Sequence, residues 1–249
     1  CIGAWVVKHL VERGDRPVVF DLGGDARRIR DVLGDAGLAR VQFVAGDITD
    51  LAATKAAVAA CKPRAIIHLA GLQVPFCRQD PPLGARVNVL GTIHVFEAAL
   101  AAGVSRVVYA SSAAVFGPSE DDGVAVSEST ATAPVTHYGV YKQANEGTAR
   151  IYWLEKKLSS VGLRPLTVYG VGRDQGMTAG PTTAMKAAVL GRPYQIAFSG
   201  PTDFHYVADT AAAFVLCADG GPAGAHVFNL HGDTVDVADV VRAIEAECP

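Results

Sequence analysis

Tyr138 and Lys142 stand at i and i+4 in Tyr138-Gly139-Val140-Tyr141-Lys142. On a helix those two positions share a face. An ammonium beside a phenol favours the phenolate and draws the Tyr pKa down from its reference of about 10. Such a Tyr can take or give a proton near neutrality. Upstream, Tyr109-Ala110-Ser111-Ser112-Ala113-Ala114-Val115-Phe116-Gly117 runs from an apolar strand into a loop. A serine at that strand end can hydrogen-bond a substrate oxygen whose proton is moving. Taken singly, the first motif also fits an exposed helix face and the second a turn-forming serine.

A second set of residues suits a nucleotide. Gly3 lies in Cys1-Ile2-Gly3, and Asp21 closes the next apolar strand. A dinucleotide fold needs a Gly where its first helix packs on its strand, and an acid about 20 residues on for the ribose hydroxyls. Asp47, in Gly46-Asp47-Ile48, closes the following strand, where its carboxylate can reach an adenine ring. Each of these residues alone reads equally well as a turn Gly or a turn Asp.

The elements that must position them alternate. Val18-Val19-Phe20, Val41–Val44, Ala65–Ala70 and Arg106–Ala110 are strands. Residues 25–35, 50–61 and 82–102 have helical spacing, and Cys1–Leu10 already reads as a helix. This pattern predicts a doubly wound parallel sheet with helices on both faces. Beyond about residue 160 it loosens. Leu166–Tyr169, Tyr194–Phe198 and Phe204–Val207 look like strands, and 171–181 like a Gly-rich loop. A helix is expected over 182–190, and helix, strand, helix over 208–218, 226–230 and 235–247. We expect a cofactor domain over 1–165 and, over 166–249, mainly a small substrate lobe closing on the carboxyl ends of the strands.

Composition sets limits. Half of the 249 residues are apolar, 19% are charged and the net charge is −3, so the chain can bury a large core and is unsuited to nucleic acid. No apolar run reaches the ~18 residues of a membrane span, and no secretory leader pattern is read, so a cytoplasmic location is expected. The five cysteines show no CxxC spacing, which argues against disulfides and zinc; no metal is expected.

In order and spacing, Gly3, Asp21, Asp47, His68-Leu69-Ala70-Gly71, Asn88-Val89-Leu90-Gly91-Thr92, Ser112 and Tyr138/Lys142 resemble the extended short-chain dehydrogenase/reductases, the NAD-dependent epimerase/dehydratase family. The resemblance runs on to Thr202-Asp203-Phe204-His205-Tyr206-Val207-Ala208-Asp209. It implies a Rossmann fold, NAD as cofactor and a sugar-type small-molecule substrate. Tyr138 is then the acid/base, with Lys142 binding the nicotinamide ribose and lowering the Tyr138 pKa. Ser112, ahead of Ser111, holds the substrate oxygen. Ile2, Gly3, Asp21, Asp47, Ile48, Leu69, Ala70, Gly71 and Asn88 line the cofactor, with Tyr138 and Lys142. Ser111, Ala113, Thr167, Arg173 and His205 are substrate candidates. Asp21 favours NAD, while Arg27 and Arg28, a turn into the next helix, keep NADP open. The family begins with a strand and a Gly-x-x-Gly-x-x-Gly turn of which only Gly3 is present, so further residues are expected upstream, and others past residue 249. A homodimer through a four-helix bundle of 82–102 and 136–157 is implied; Val95, Ala98 and Ala99 fit its face, and fit a core-facing stripe equally well.

The chain departs from the family at several positions. Thr167 replaces an Asn usual in nucleotide-sugar enzymes, and Thr202 replaces an Arg that meets pyrophosphate, a loss of a strong contact. Arg173, Lys186 or Arg192 can substitute. Ala113-Ala114 replaces the Asp-Glu of dehydratases, which removes the acid needed for water elimination. The expected activity is that of an NAD-dependent epimerase or oxidoreductase: Tyr-assisted hydride transfer from a hydroxyl of a sugar or sugar derivative, the ketone then being either released or turned and re-reduced. A dehydrogenase of a small sugar acid or polyol, and a non-catalytic NAD-binding protein, remain the alternatives. His68 and His94 are expected to be structural, and Asp121, Asp122 and Glu128 to decorate a solvated loop.

Overall fold

The computed structural model describes residues 1–118 and 126–248. In chain order the first half is α1 (Ile2–Glu12), β1 (Val18–Asp21), α2 (Arg27–Leu38), β2 (Gln42–Ala45), α3 (Leu51–Cys61), β3 (Ile66–His68), α4 (Val74–Gln79), α5 (Pro81–Ala85), a π turn (Arg86–Leu90), α6 (Gly91–Ala102) and β4 (Arg106–Ala110). The second half is α7 (His137–Lys156), β5 (Ser159–Arg164), β6 (Thr167–Tyr169), α8 (Gly180–Val189), β7 (Pro201–Tyr206), α9 (Val207–Asp219), β8 (Ala225–Asn229), β9 (Asp233–Asp236) and α10 (Val237–Glu247). Asp121 and Asp122 lie outside the described residues.

The alternation of β4 builds the two-faced core. Val107 and Tyr109 join Val95, Phe96 and Ala99 of α6 and Ala149 of α7 on one side. Val108 faces the other way, into Val6 of α1, Val161 and Leu163 of β5, and Ala211 and Phe214 of α9. Each such side chain contributes roughly 1.5–3 kcal/mol by leaving water. β4 can be buried on both faces because its neighbours β3 and β5 are parallel to it, with helices above and below. The order β3-β4-β5-β8 is all parallel, and β1 and β2 form a second parallel ladder. A third sheet, β6-β7-β9, is parallel at β6-β7 and antiparallel at β7-β9. β8 therefore returns to the main sheet, so the strands after residue 165 are shared between two sheets.

Several expected elements differ. Ser159–Arg164 is a fully buried strand that the sequence pattern hid behind two serines and an arginine. Tyr194–Phe198 is a loop; its alternating apolar residues turn Ile196 and Phe198 against Gly180 at the start of α8, and β9 takes the free edge of β7. The helix expected from 82 begins at Val74. It breaks at Asp80, whose carboxylate caps α5 through Leu83 N at 2.9 Å, and widens into the π turn. Residues 233–236 are a strand, and Asp236 caps the helix that follows. Glu128 is exposed, but its carboxylate accepts a hydrogen bond from Asn229 N at 3.0 Å. Val95, Ala98 and Ala99 are buried within the chain itself and cannot be a dimer face. No helix among the described residues is long and apolar enough to cross a membrane.

Candidate active site

Every predicted strand-end residue sits at the carboxyl edge of its parallel strand: Asp21 after β1, Asp47 after β2, Leu69–Gly71 after β3 and Ser111–Ser112 after β4. That is the edge where open α/β sheets bind ligands.

Thr136 starts the helix that carries the acid/base pair. Its hydroxyl accepts from Gly139 N at 3.0 Å, satisfying one of the orphan amides of the first turn. Three residues of α7 then address three consecutive residues leaving β4. The Ser112 hydroxyl stands close enough to the Tyr138 phenol to draw its pKa down. Lys142 Nζ donates to Ala110 O at 2.7 Å. Glu146 accepts from Ser111 Oγ. The spacing i, i+4, i+8 puts all three on one face of α7. Ser112 also caps the short 3₁₀ turn Ala113–Val115 through Ala114 N at 3.2 Å. Ser112 is thus the serine beside Tyr138, while Ser111 is buried and committed to Glu146.

Glu146 is held in turn by Arg164, with Nε at 2.8 Å and Nη2 at 2.6 Å from its two oxygens. The two side chains are 11% and 5% exposed. A bidentate geometry and the added Ser111 bond are what make so buried a pair tolerable. Arg164 also stacks over Phe116, 4.7 Å from its ring centre.

The electrostatics correct one expectation. Burial pushes the Tyr138 phenol above its ordinary pKa; the Ser112 hydroxyl and, after it, the Arg173 charge oppose this without reversing it. Burial also brings Lys142 down to about 8. Its ammonium, 5.5 Å from the Tyr138 ring centre, donates to the Ala110 carbonyl rather than to the phenol. Beside Ser112, the charge that pulls Tyr138 toward the phenolate is Arg173, half-buried, with Nη2 on Thr178 Oγ1 at 2.9 Å and Nε without a partner among the described residues.

The floor of the site is Asn88, fully buried in the π turn. Its Oδ1 accepts from Leu72 N at 2.7 Å, and its Nδ2 donates to Leu72 O at 2.9 Å and to Cys77 Sγ at 3.1 Å. Asn145 Nδ2 and Thr92 Oγ1 donate to the Asn88 carbonyl. Asn88 therefore shapes the Gly71–Gln73 loop, its side-chain polar atoms being taken up by that loop. A Cβ on Gly71 would fall 2.9 Å from Asn88 Oδ1 and 3.6 Å from Lys142 Nζ, so glycine keeps this wall open. His68 bonds Thr92 Oγ1 at 3.0 Å, and burial, aided by the Lys142 charge, pushes its pKa down to about 3. His94 bonds Ile48 O at 3.0 Å. His68 is a neutral part of the frame, and His94 ties α6 to the end of β2.

At the other end, Gly3 opens α1 with only Leu69 Cδ1, at 3.7 Å, near its Cβ position. The start of α1, beside Ile2, feels the charges of Arg28, Arg173, Asp174 and Asp21. Asp21 accepts from Gly23 N at 3.1 Å, and Asp47 from Thr49 N at 2.8 Å; both are exposed. These residues fit a dinucleotide: a small residue in the first turn of α1, an acid closing the next strand, and a buried guanidinium N–H with no partner among the described residues.

The other substrate candidates scatter. Ala113 N donates to Pro165 O, tying the Ser112 loop to the end of β5. Thr167 is buried, its hydroxyl 3.0 Å from that of Thr202. His205 lies on β7, 3.3 Å from Asp203, whose carboxylate holds the turn at Gly232 and Thr234. None of the recorded contacts of Thr167 or His205 is with Ser112, Tyr138 or Lys142. Sequence reasoning missed Glu146, Gly139 and Gln73. The repeat of four from Tyr138 through Lys142 was the signal for Glu146; the other two had none.

The sequence profile of the NAD dependent epimerase/dehydratase family matches residues 1–230, and the chain belongs to that family of NAD-using enzymes. Among its relatives, UDP-glucose 4-epimerase of Mycolicibacterium smegmatis is 33% identical over 228 residues, covering 90% of this chain and 71% of that protein. UDP-glucose 4-epimerase of Azospirillum brasilense is 30% identical across 98% of this chain and 74% of its own length. Of solved structures, MoeE5 in complex with UDP-glucose and NAD superposes with a TM-score of 0.82 at 31% identity, covering 99% of this chain and 78% of that one. The Thermus thermophilus UDP-glucose 4-epimerase complex with NAD gives 0.86 at 24% identity, covering 100% and 80%, a likeness of fold.

Proposed function

We propose that this chain is an NAD-dependent epimerase that inverts a hydroxyl-bearing carbon of a nucleotide-linked sugar. The observation that carries the proposal is the Ser112–Tyr138 pair at the strand edge, locked in place by Lys142 and Glu146. Bound NAD supplies the acceptor for a hydride from the sugar carbon and the donor that returns it. Tyr138 takes the hydroxyl proton as the carbonyl forms and gives it back on reduction. Ser112 orients the reacting oxygen and shares its hydrogen bond with the phenol. Arg173 is the cation set against Tyr138, and it favours the charged phenolate.

The relatives favour a nucleotide sugar over a free sugar acid. Thr202 lacks a charge for pyrophosphate, but Arg173, set near Tyr138, and the exposed Lys186 and Arg192 are cations that can replace it. A homodimer through α6 and α7 is supported by the exposed Leu90, Val140, Ile151 and Leu154, which lie on or beside these helices.

The test is conversion of UDP-glucose with NAD. We expect the 4-epimer by chromatography with no net absorbance of reduced nicotinamide, and loss of the 4-epimer in Tyr138→Phe. Stoichiometric accumulation of reduced cofactor would instead make this a dehydrogenase. Biological effect undiminished in Tyr138→Phe would make it a binding protein. Size-exclusion mass measurement reads the dimer.

A further inference from the structure

We propose that Asp174 enforces the choice of NAD over NADP by occupying Arg27 and Arg28, the two cations that would otherwise receive a ribose 2′-phosphate. The inference rests on the proposed cofactor site. It adds a residue far in sequence from the acid that normally makes that choice.

Arg27 and Arg28 open α2, directly after the Asp21–Gly24 turn, where the adenosine ribose is expected. Read locally, they form a ready phosphate site, since two planar guanidiniums match phosphate oxygens in paired hydrogen bonds. The fold occupies them. Arg28 Nη2 is 2.6 Å from Asp174 Oδ1 and its Nε is 3.4 Å from Oδ2. Arg27 Nη2 is 3.0 Å from that same Oδ2. A single carboxylate holds both. Burial would raise the Asp174 pKa, but the two arginines overcome that and hold it down to about 2, so it is charged at any working pH.

Asp174 is not a chance surface partner. The loop carrying it is fastened on both sides. Trp5 Nε1 donates to Val171 O at 2.9 Å, and Arg173 to Thr178. Gly176, at φ +94°, packs so closely on Gln73 that a Cβ would meet Oε1 at 1.7 Å. An incoming 2′-phosphate would have to dislodge Asp174 from this fastened loop, then bind between it and Asp21 with both carboxylates charged. NAD, with a neutral 2′-hydroxyl, meets no such opposition. The pairing matters here through charge, because ion pairs this exposed contribute little to stability.

The experiment is titration of the purified chain with NAD and NADP, followed by fluorescence quenching or calorimetry. Asp174→Asn frees both guanidiniums. NADP affinity should rise about tenfold, while NAD affinity moves by less than about threefold. Adding Arg27→Gln and Arg28→Gln to that variant should erase the gain. Those two substitutions in the wild-type background should not raise NADP affinity, because they leave the Asp174 carboxylate without a counter-charge. An Asp174→Asn variant that binds NAD but gains no NADP affinity overturns the inference alone. So does a gain that survives loss of both arginines, or a gain produced by their removal from the wild-type background. Failure of the wild-type chain to bind NAD overturns the cofactor site and the inference with it.

Discussion

Gly139 allows the first turn of α7 to rest on the carbonyl of Ala114. A Cβ there would stand 2.4 Å from that oxygen and 2.8 Å from Pro134 Cβ. At this point the helix bearing Tyr138 and the loop bearing Ser112 meet with no side chain between them. Ala is the better helix former by about 1 kcal/mol, so Gly139→Ala should not weaken the helix itself. We expect the clash to part Tyr138 from Ser112 and lower kcat on the order of 10²-fold, with unchanged far-ultraviolet dichroism. Steady-state kinetics beside dichroism checks this.

Tyr138 is held above its ordinary pKa by burial, so its basic form is scarce at neutrality. Below that pKa the phenolate fraction grows about tenfold per pH unit, and kcat should climb with pH from neutral into the alkaline range. Arg173→Met removes the opposing cation and should move the climb to higher pH. Tyr138→Phe should abolish it. A pH–rate series on the three proteins reads all of this.

Lys142 places function against stability. Its folded pKa is about 8 against an ordinary 10.5, so below pH 8 the fold carries a buried ammonium at a cost of order 3 kcal/mol. Between pH 8 and 10.5 the unfolded chain binds the proton that the folded chain has released, so wild-type stability rises with pH across that window. Lys142→Met should therefore unfold at a higher temperature than wild type at neutral pH, with the difference closing from pH 8 to 10.5, and it should be inactive throughout. Thermal melts across pH decide it.

Glu146→Gln leaves Arg164 buried without its counter-charge, and we expect a loss of roughly 3–5 kcal/mol in denaturant unfolding. Glu146→Met with Arg164→Met should recover most of that stability, because two apolar side chains fill the space with no charge to desolvate. Activity should remain low in the double variant, because Ser111 no longer has an acceptor and the Ser112 loop loses its anchor. Recovery of kcat together with stability would show that Glu146 only supports the fold.

How much of this was legible depended on sequence distance. Tyr138, Lys142, Ser112 and the acids after β1 and β2 were readable because strand-end position and helical spacing are local properties. Strand β5 was not: Ser159, Ser160 and Arg164 look polar until the ladder and Glu146 satisfy them. Val95, Ala98 and Ala99 form a stripe on one side of a helix, and a stripe looks the same whether it meets a partner or the chain's own sheet. The Tyr138–Lys142 spacing was read correctly as one face, but not where the ammonium goes, because Ala110 O comes from another element. Asp174 could not be assigned at all, since nothing between residues 28 and 174 records that they meet.

The π turn at Arg86–Leu90 carries one residue more than a regular coil would need between α5 and α6. That surplus turns Asn88 toward Leu72 while Gly91 still meets Ile48. Deleting any one residue from 86–90 would let the backbone relax into an unbroken α-helix, with better hydrogen bonds and a smoother axis. The faces on either side would keep nearly their phase, because the wide turn is what absorbs the extra residue. The hold of Asn88 on Leu72, made from within the wide turn, would be what is lost. The irregularity thus serves as a bracket: it gives a helix that must pack on a sheet at one end a grip on the loop that it must hold open at the other.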